Sequence, residues 1–218
     1  MKSSVLSVVA LAALFLVACG PNEAEITAAK EKTAADSIAA LSDVQRSYIL
    51  DGAASKVTWT GTMLGVKSHT GTVNLNEGMI TTKGSTLTGG DFAVDMKSIA
   101  PLDTNYAPAG SKQGTKENLV GHLSSPDFFA VDSFPVAKFS ISAVEGNTAT
   151  GVLTLRGKGN EEKVTDIILT PNADGTITVT GKLAFDRQKY GAAWKSPMKD
   201  VVLNDAIELT VELTGKAQ

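Results

Sequence analysis

His69, His122, Cys19 and Arg187 are the side chains best placed by type to do chemistry in this chain. The two histidines are the only ones present, and neither stands in a ligand-spaced motif such as HExxH, so no metal site is expected. No GxSxG elbow prepares a serine nucleophile, and no GxGxxG or Walker loop cradles a phosphate. Gly157-Lys158-Gly159 is too short for that and reads as part of a hairpin turn. Asp91 and Asp95 alternate outward on a strand pattern, where a solvated face explains them. The net charge of −3, with no basic stripe, argues against nucleic acid. The chain therefore reads as a binding protein, not an enzyme, with no cofactor. An acid–base site built on His69 or His122 would need a Ser, Asp or Glu within hydrogen-bond reach inside a pocket. His122 stands at a helix–strand junction and reads as a hydrogen-bonded structural histidine. Arg187 follows the apolar Leu183–Phe185 segment. It reads as a buried charge needing a partner such as Asp205 or Asp200, with contact to a ligand head group as the other reading.

Cys19 is the only cysteine, so no disulfide can form within one molecule. It ends a targeting pattern. Met1-Lys2 gives a positive start, Val5–Val17 an apolar run of signal-peptide length, and Leu16-Val17-Ala18-Cys19 resembles the bacterial lipobox. Residues 1–18 are expected to be removed, leaving Cys19 acylated. Several acyl chains would hold the protein on a membrane, at about 0.8 kcal/mol per buried methylene. Gly20 stands where an Asp would mark inner-membrane retention in enteric bacteria, so the outer membrane, facing the periplasm, is expected. Residues 19–47 form the lipidated N-terminus and tether, rich in Ala, Glu, Lys and Thr and free of aromatics. Ser37–Val44 could form a short amphipathic helix, though a spacer is the simpler reading. The folded domain is expected over residues 48–216.

These residues must be positioned by strands, because from Tyr48 onward the pattern has period two. Strands are expected at Val57–Met63, His69–Leu75, Gly78–Thr82, Leu87–Met96, Val136–Ser142, Thr148–Arg156, Lys163–Thr170, Thr176–Phe185 and Val202–Leu213. Glu117–Phe139 interrupts them. Leu119, His122 and Leu123 give a brief helix, Ser125-Pro126 stops it, and Phe128-Phe129 follows as an apolar plug. Before it lies a long polar loop, Ile99–Lys116, of the kind that is functional or mobile. Short connections favour antiparallel pairing, and only the link after Met96 has crossover length. The expected fold is all-β: an eight-stranded antiparallel lipocalin-like barrel with a short helical segment between strands 4 and 5, with an open sandwich as the alternative.

Several segments together resemble the YceI-like family of exported bacterial proteins. They are Ser55–Trp59 with His69-Thr70-Gly71, Met96–Ile99, His122–Phe129 with Phe134–Phe139, Thr150–Gly157, and Phe185-Asp186-Arg187 with Tyr190-Gly191 and Asn204-Asp205. The resemblance spans Tyr48 to Lys216. It implies a lipocalin-like barrel carrying a long polyisoprenoid or related amphiphile, and binding without turnover. The lipobox departs from the soluble periplasmic form and implies a tethered one. An isoprenoid chain, such as that of an isoprenoid quinone-like lipid, would then lie among Trp59, Phe92, Phe139, Leu155, Phe185 and Trp194. Its polar head would sit near His69 or Arg187. The competing expectation is an envelope interaction or adhesion lipoprotein with a filled core. A homodimer is left open.

Overall fold

The computed structural model describes residues 44–64, 67–196 and 202–218. The signal segment, Cys19 and the tether up to Asp43 lie outside the described residues. In chain order the elements are β1 (Gln45–Leu50), β2 (Lys56–Leu64), β3 (Lys67–Lys83), β4 (Thr86–Pro101), α1 (Lys116–Ser124), β5 (Val136–Glu145), β6 (Thr148–Leu155), β7 (Lys158–Pro171), β8 (Thr176–Asp186), a 3-10 turn (Arg187–Tyr190) and β9 (Val202–Ala217).

β2, β9, β8, β7, β6, β5, β4 and β3 pair in that order, and β3 returns to β2, closing an eight-stranded barrel. Every pairing is antiparallel, including β4 with β5, so the long link after β4 is no parallel crossover. β1 does not add a ninth position. Tyr48 pairs with Ile80 of β3 and Ala217 of β9, while Val57 of β2 pairs with Val73 and Val211 of the same two strands. β1 and β2 are thus one barrel strand broken at Asp51–Ser55, where the Asp51 carboxylate accepts from Ala53 N–H at 2.8 Å. The last three residues assigned to the tether, Gln45–Ser47, belong to β1.

The expected strands His69–Leu75 and Gly78–Thr82 are one strand of 17 residues. Asn76-Glu77, which lie between the two expected strands, form a β-bulge. Leu75 pairs with Val94 and Glu77 with Ala93, leaving Asn76 as the extra residue. The inward positions accordingly change parity, from Gly71, Val73 and Leu75 to Ile80 and Thr82. β7 starts earlier than expected because its hairpin with β6 has only two residues. Arg156 and Gly157 sit at φ 51° and 71°, the twist that a tight β-hairpin favours. β4 runs on to Pro101, shortening the loop to residues 102–115.

Antiparallel order puts the β3–β4, β5–β6 and β7–β8 hairpins at one end of the barrel. The 102–115 loop, α1 and the connection after β8 lie at the other. The expected helix is present. Its start is a capping box, in which Thr115 Oγ1 accepts from Asn118 N–H and Asn118 Oδ1 accepts from Thr115 N–H, both at 3.1 Å. Ser125 ends it in an extended conformation (ψ 163°), as a residue before proline prefers. The core is the inward face of the strands. On β8 it comprises Ile177, Val179, Leu183 and Phe185, each side chain contributing roughly 1.5–3 kcal/mol by burial.

Candidate ligand-binding cavity

The inward residues do not fill the barrel. A cavity of about 320 Å³ runs from Met63, His69 and Leu203 near the helix end to Leu87, Val179 and Leu213 toward the hairpins. Every strand from β2 to β9 contributes to its wall, and the wall is almost wholly apolar. At about 24 cal/mol per Å³, a void of this order left by poor packing would cost several kcal/mol. Trp59, Phe92, Phe139, Leu155, Phe185 and Trp194 all lie on this wall.

Glycines explain how aromatic rings can line the lumen without plugging it. A Cβ on Gly71 would lie 2.3 Å from Trp59 Cζ2 and 2.5 Å from the Ala100 carbonyl oxygen. A Cβ on Gly151 would lie 2.7 Å from Phe139 Cζ and 2.4 Å from the Ser140 carbonyl oxygen. Each ring takes the space of the missing side chain and lies back against the sheet. Trp59 Nε1–H also donates to Thr72 O at 3.3 Å, which fixes the indole.

Polar groups gather at the helix end. His69 is on the wall, and its Nδ1 lies 2.5 Å from Asp103 Oδ2. Tyr106 donates its hydroxyl to the same oxygen at 2.5 Å, and Thr70 N–H donates to Oδ1 at 2.7 Å. The His69 and Tyr106 rings stack at 5.8 Å. Burial opposes ionisation of Asp103, but the Tyr106, His69 and Thr70 hydrogen bonds and the His69 charge outweigh it and bring its pKa to about 2. Burial, then the Asp103 carboxylate, pushes the Tyr106 hydroxyl well above its usual value. The ionised carboxylate accepts, so the His69 proton belongs on Nδ1. This meets the requirement of a carboxylate beside a pocket histidine. The hydrogen bonds of His69 among the described residues go to Asp103 and Tyr106, and none reaches a Ser or Thr hydroxyl.

Arg187 is not on the cavity wall. It is 1% exposed and donates to the carbonyls of Ala192, Trp194 and Asn204 and to Asp205 Oδ1 at 2.8 Å. Asp205 is therefore its partner, and Asp200 lies outside the described residues. The guanidinium also sits 5.8 Å over the ring of Phe128. Arg156 holds the same residue by its backbone, donating to the carbonyls of Phe128, Gly191 and Pro126. The two arginines thus clamp the Pro126–Phe129 plug. His122 differs from its expected role. Its Nε2 is buried with no hydrogen-bond partner, and its ring is on the wall, edge-on to Trp194 at 4.7 Å and to Phe128 at 5.4 Å.

Comparison with known proteins agrees with this geometry. Residues 48–215 match the YceI-like domain. The chain belongs to the YceI-like family. A UPF0312 protein of Staphylococcus aureus is 29% identical over 136 residues, covering 58% of this chain and 73% of that protein. Burkholderia cenocepacia BcnA superposes with a TM-score of 0.59 at 20% identity, over 76% of this chain and 98% of BcnA. That likeness is one of fold. A polyisoprenoid-binding domain from Saccharophagus degradans, implicated in plant cell wall breakdown, aligns at 13% identity over 78% of this chain and 98% of that one, with a TM-score of 0.49.

Within this YceI-like barrel, sequence reasoning overlooked Asp103, Tyr106 and Arg156. Asp103 and Tyr106 sit in a loop without periodicity and act through a contact far away in sequence. Arg156 could have been found from the two-residue hairpin it begins with Gly157, which places it at the helix end. The orphaned nitrogen of His122 has no sequence signature.

Proposed function

We propose that this protein carries or stores a lipid at the bacterial cell envelope, with the chain of a polyisoprenoid or similar long-chain amphiphile in the barrel lumen. The observation that carries this reading is the continuous apolar cavity, walled by all the barrel strands and kept open by glycine-backed aromatic rings. Each ligand methylene moved from water into such a lumen contributes about 0.8 kcal/mol, so a long chain is held without any charged anchor. An unbranched or isoprenoid quinone-like lipid satisfies the same logic. An open lumen counts against a filled-core interaction or adhesion protein. Acylated Cys19 at the end of a tether would keep the barrel at the outer membrane, facing the periplasm.

One experiment tests both parts. Cells expressing the intact chain and its Cys19→Ser variant are fractionated. The protein is purified from each fraction, and its organic extract is analysed by mass spectrometry. The expected result is wild-type protein in the membrane fraction, the variant in the soluble fraction, and the same long-chain lipid in both extracts. A protein that is reproducibly empty and takes up no prenyl lipid would sink the carrier reading. A Cys19→Ser variant that stays with membranes at high salt would remove the anchor.

A further inference from the structure

We propose that the polar end of the ligand is an uncharged hydroxyl or carbonyl oxygen, hydrogen-bonded to His122 Nε2 at the helix end of the lumen. This rests on the lipid-binding reading above and adds the head group to it.

His122 Nε2 is a buried nitrogen without a partner on an otherwise apolar wall. Leaving such a group unpaired costs about 1–3 kcal/mol, which a ligand oxygen would recover. The imidazole is held for this purpose on several sides. Trp194 and Phe128 meet it edge-on at 4.7 Å and 5.4 Å. Phe128 is pinned by Arg156 through its carbonyl and by Arg187 over its ring. The Ser125 hydroxyl and N–H both donate to the His122 carbonyl, at 2.8 Å and 3.1 Å. His69 is a weaker candidate, because its ring is already tied to Asp103 and Tyr106 and it holds no buried atom left without a partner.

The surroundings also choose the head group's charge. Among the described residues, no buried permanent cation lines the lumen. Arg156 and Arg187 are engaged with backbone carbonyls and Asp205. Lys138 and Lys182 border the cavity, but both are exposed to solvent, between inward neighbours on their strands, and Lys182 is paired with Asp166 at 3.1 Å. Burial lowers the pKa of His122 and the Asp127 charge only partly offsets this, so the imidazole is neutral near pH 7. A phosphate or carboxylate would therefore enter without a counter-charge. A hydroxyl suits a neutral imidazole in either tautomer, since it both donates and accepts.

The test compares three probes with one C20 chain: geranylgeraniol, geranylgeranyl phosphate and the headless hydrocarbon phytane. Binding to the intact, delipidated chain is followed by tryptophan fluorescence, since Trp194 adjoins His122. His122→Phe is expected to weaken geranylgeraniol about tenfold, one buried hydrogen bond's worth, and to leave phytane unchanged. His122→Gln, which keeps a donor and an acceptor, should restore most of the loss. Wild-type protein should prefer the alcohol to the phosphate. With only two histidines in the chain, ¹⁵N-histidine spectra should show the His122 Nε2 resonance shifting with the alcohol and not with phytane. Equal affinity of wild type and His122→Phe for the alcohol, or equal binding of phosphate and alcohol, overturns the inference while the lipid-binding reading stands. Failure of wild type to bind any of the three overturns both.

Discussion

At the hairpin end of the barrel, Ile80, Ile177 and Leu213 are buried in the common apolar core, and polar side chains that bond there serve the turns, as Asn172 does to Thr176 and Thr178. At the helix end, Arg156, Arg187 and the His69–Asp103 pair bond across elements that are distant in sequence, and Tyr106 joins the same carboxylate. The first end is closed by hydrophobic packing, which is non-directional and tolerates many arrangements. The second must hold a phenylalanine plug and a histidine in fixed poses while leaving a lumen beside them. Packing alone cannot do that where part of the space stays empty, so directional bonds to backbone carbonyls take over.

Arg187→Met should break this contrast most severely. Three carbonyls lose their donor, and the Phe128 ring loses the cation above it. Asp205 is 50% exposed and can rehydrate, so the carbonyls carry most of the cost. A loss of about 3 kcal/mol in urea unfolding is expected. A loss below about 1 kcal/mol would mean the plug is held by packing, as the hairpin end is.

Asp103 provides a smaller, pH-dependent test at the same end. Its pKa falls from 3.8 to about 2 on folding. The unfolded chain therefore takes up the proton first as the solution is acidified. The carboxylate's contribution is complete above about pH 4 and is lost as pH falls through about 2. Asp103→Asn should be less stable at pH 7, by on the order of 1 kcal/mol, and should flatten that part of the acid limb. Denaturant midpoints across pH 2–7 decide it. Parallel acid limbs for wild type and variant would show that the clamp adds nothing beyond backbone contacts.

The alternating wall of the barrel was far more legible in the sequence than the polar contacts at the helix end, for the same physical reason. Alternation with period two exposes inward residues directly, so the barrel, its wall residues Trp59, Phe92, Phe139, Leu155 and Phe185, and the α1 stop at Ser125-Pro126 could be read from the chain. The single strand β3 was divided in two because the bulge at Asn76 interrupts its alternation. The first half of β1, Gln45–Ser47, was assigned to the tether because its pairing with β3 is non-local and it carries no apolar residue. At the helix end the sequence named His69 and Arg187 as polar candidates, but could not say that one reaches the wall and the other is fully bonded to backbone. Such assignments depend on which carbonyls converge in space, and no spacing rule encodes that.

Among the described residues each end holds one orphaned buried atom, and these give the smallest expected effect. Thr82 Oγ1, in a residue 1% exposed, has no partner and is not on the cavity wall. His122 Nε2 has none either, but belongs to a residue of the cavity wall. If the first is a packing defect and the second a vacant bonding position, the same operation should have different consequences. Thr82→Val replaces the hydroxyl by a methyl of similar size and should stabilise the protein by up to about 1 kcal/mol, leaving alcohol binding untouched. His122→Phe should likewise not destabilise the lipid-free protein, yet should weaken the alcohol. Thermal melts of both variants, with and without geranylgeraniol, separate the cases. A destabilised Thr82→Val would mean that the hydroxyl finds a partner in solution and that the two ends do not differ in this respect.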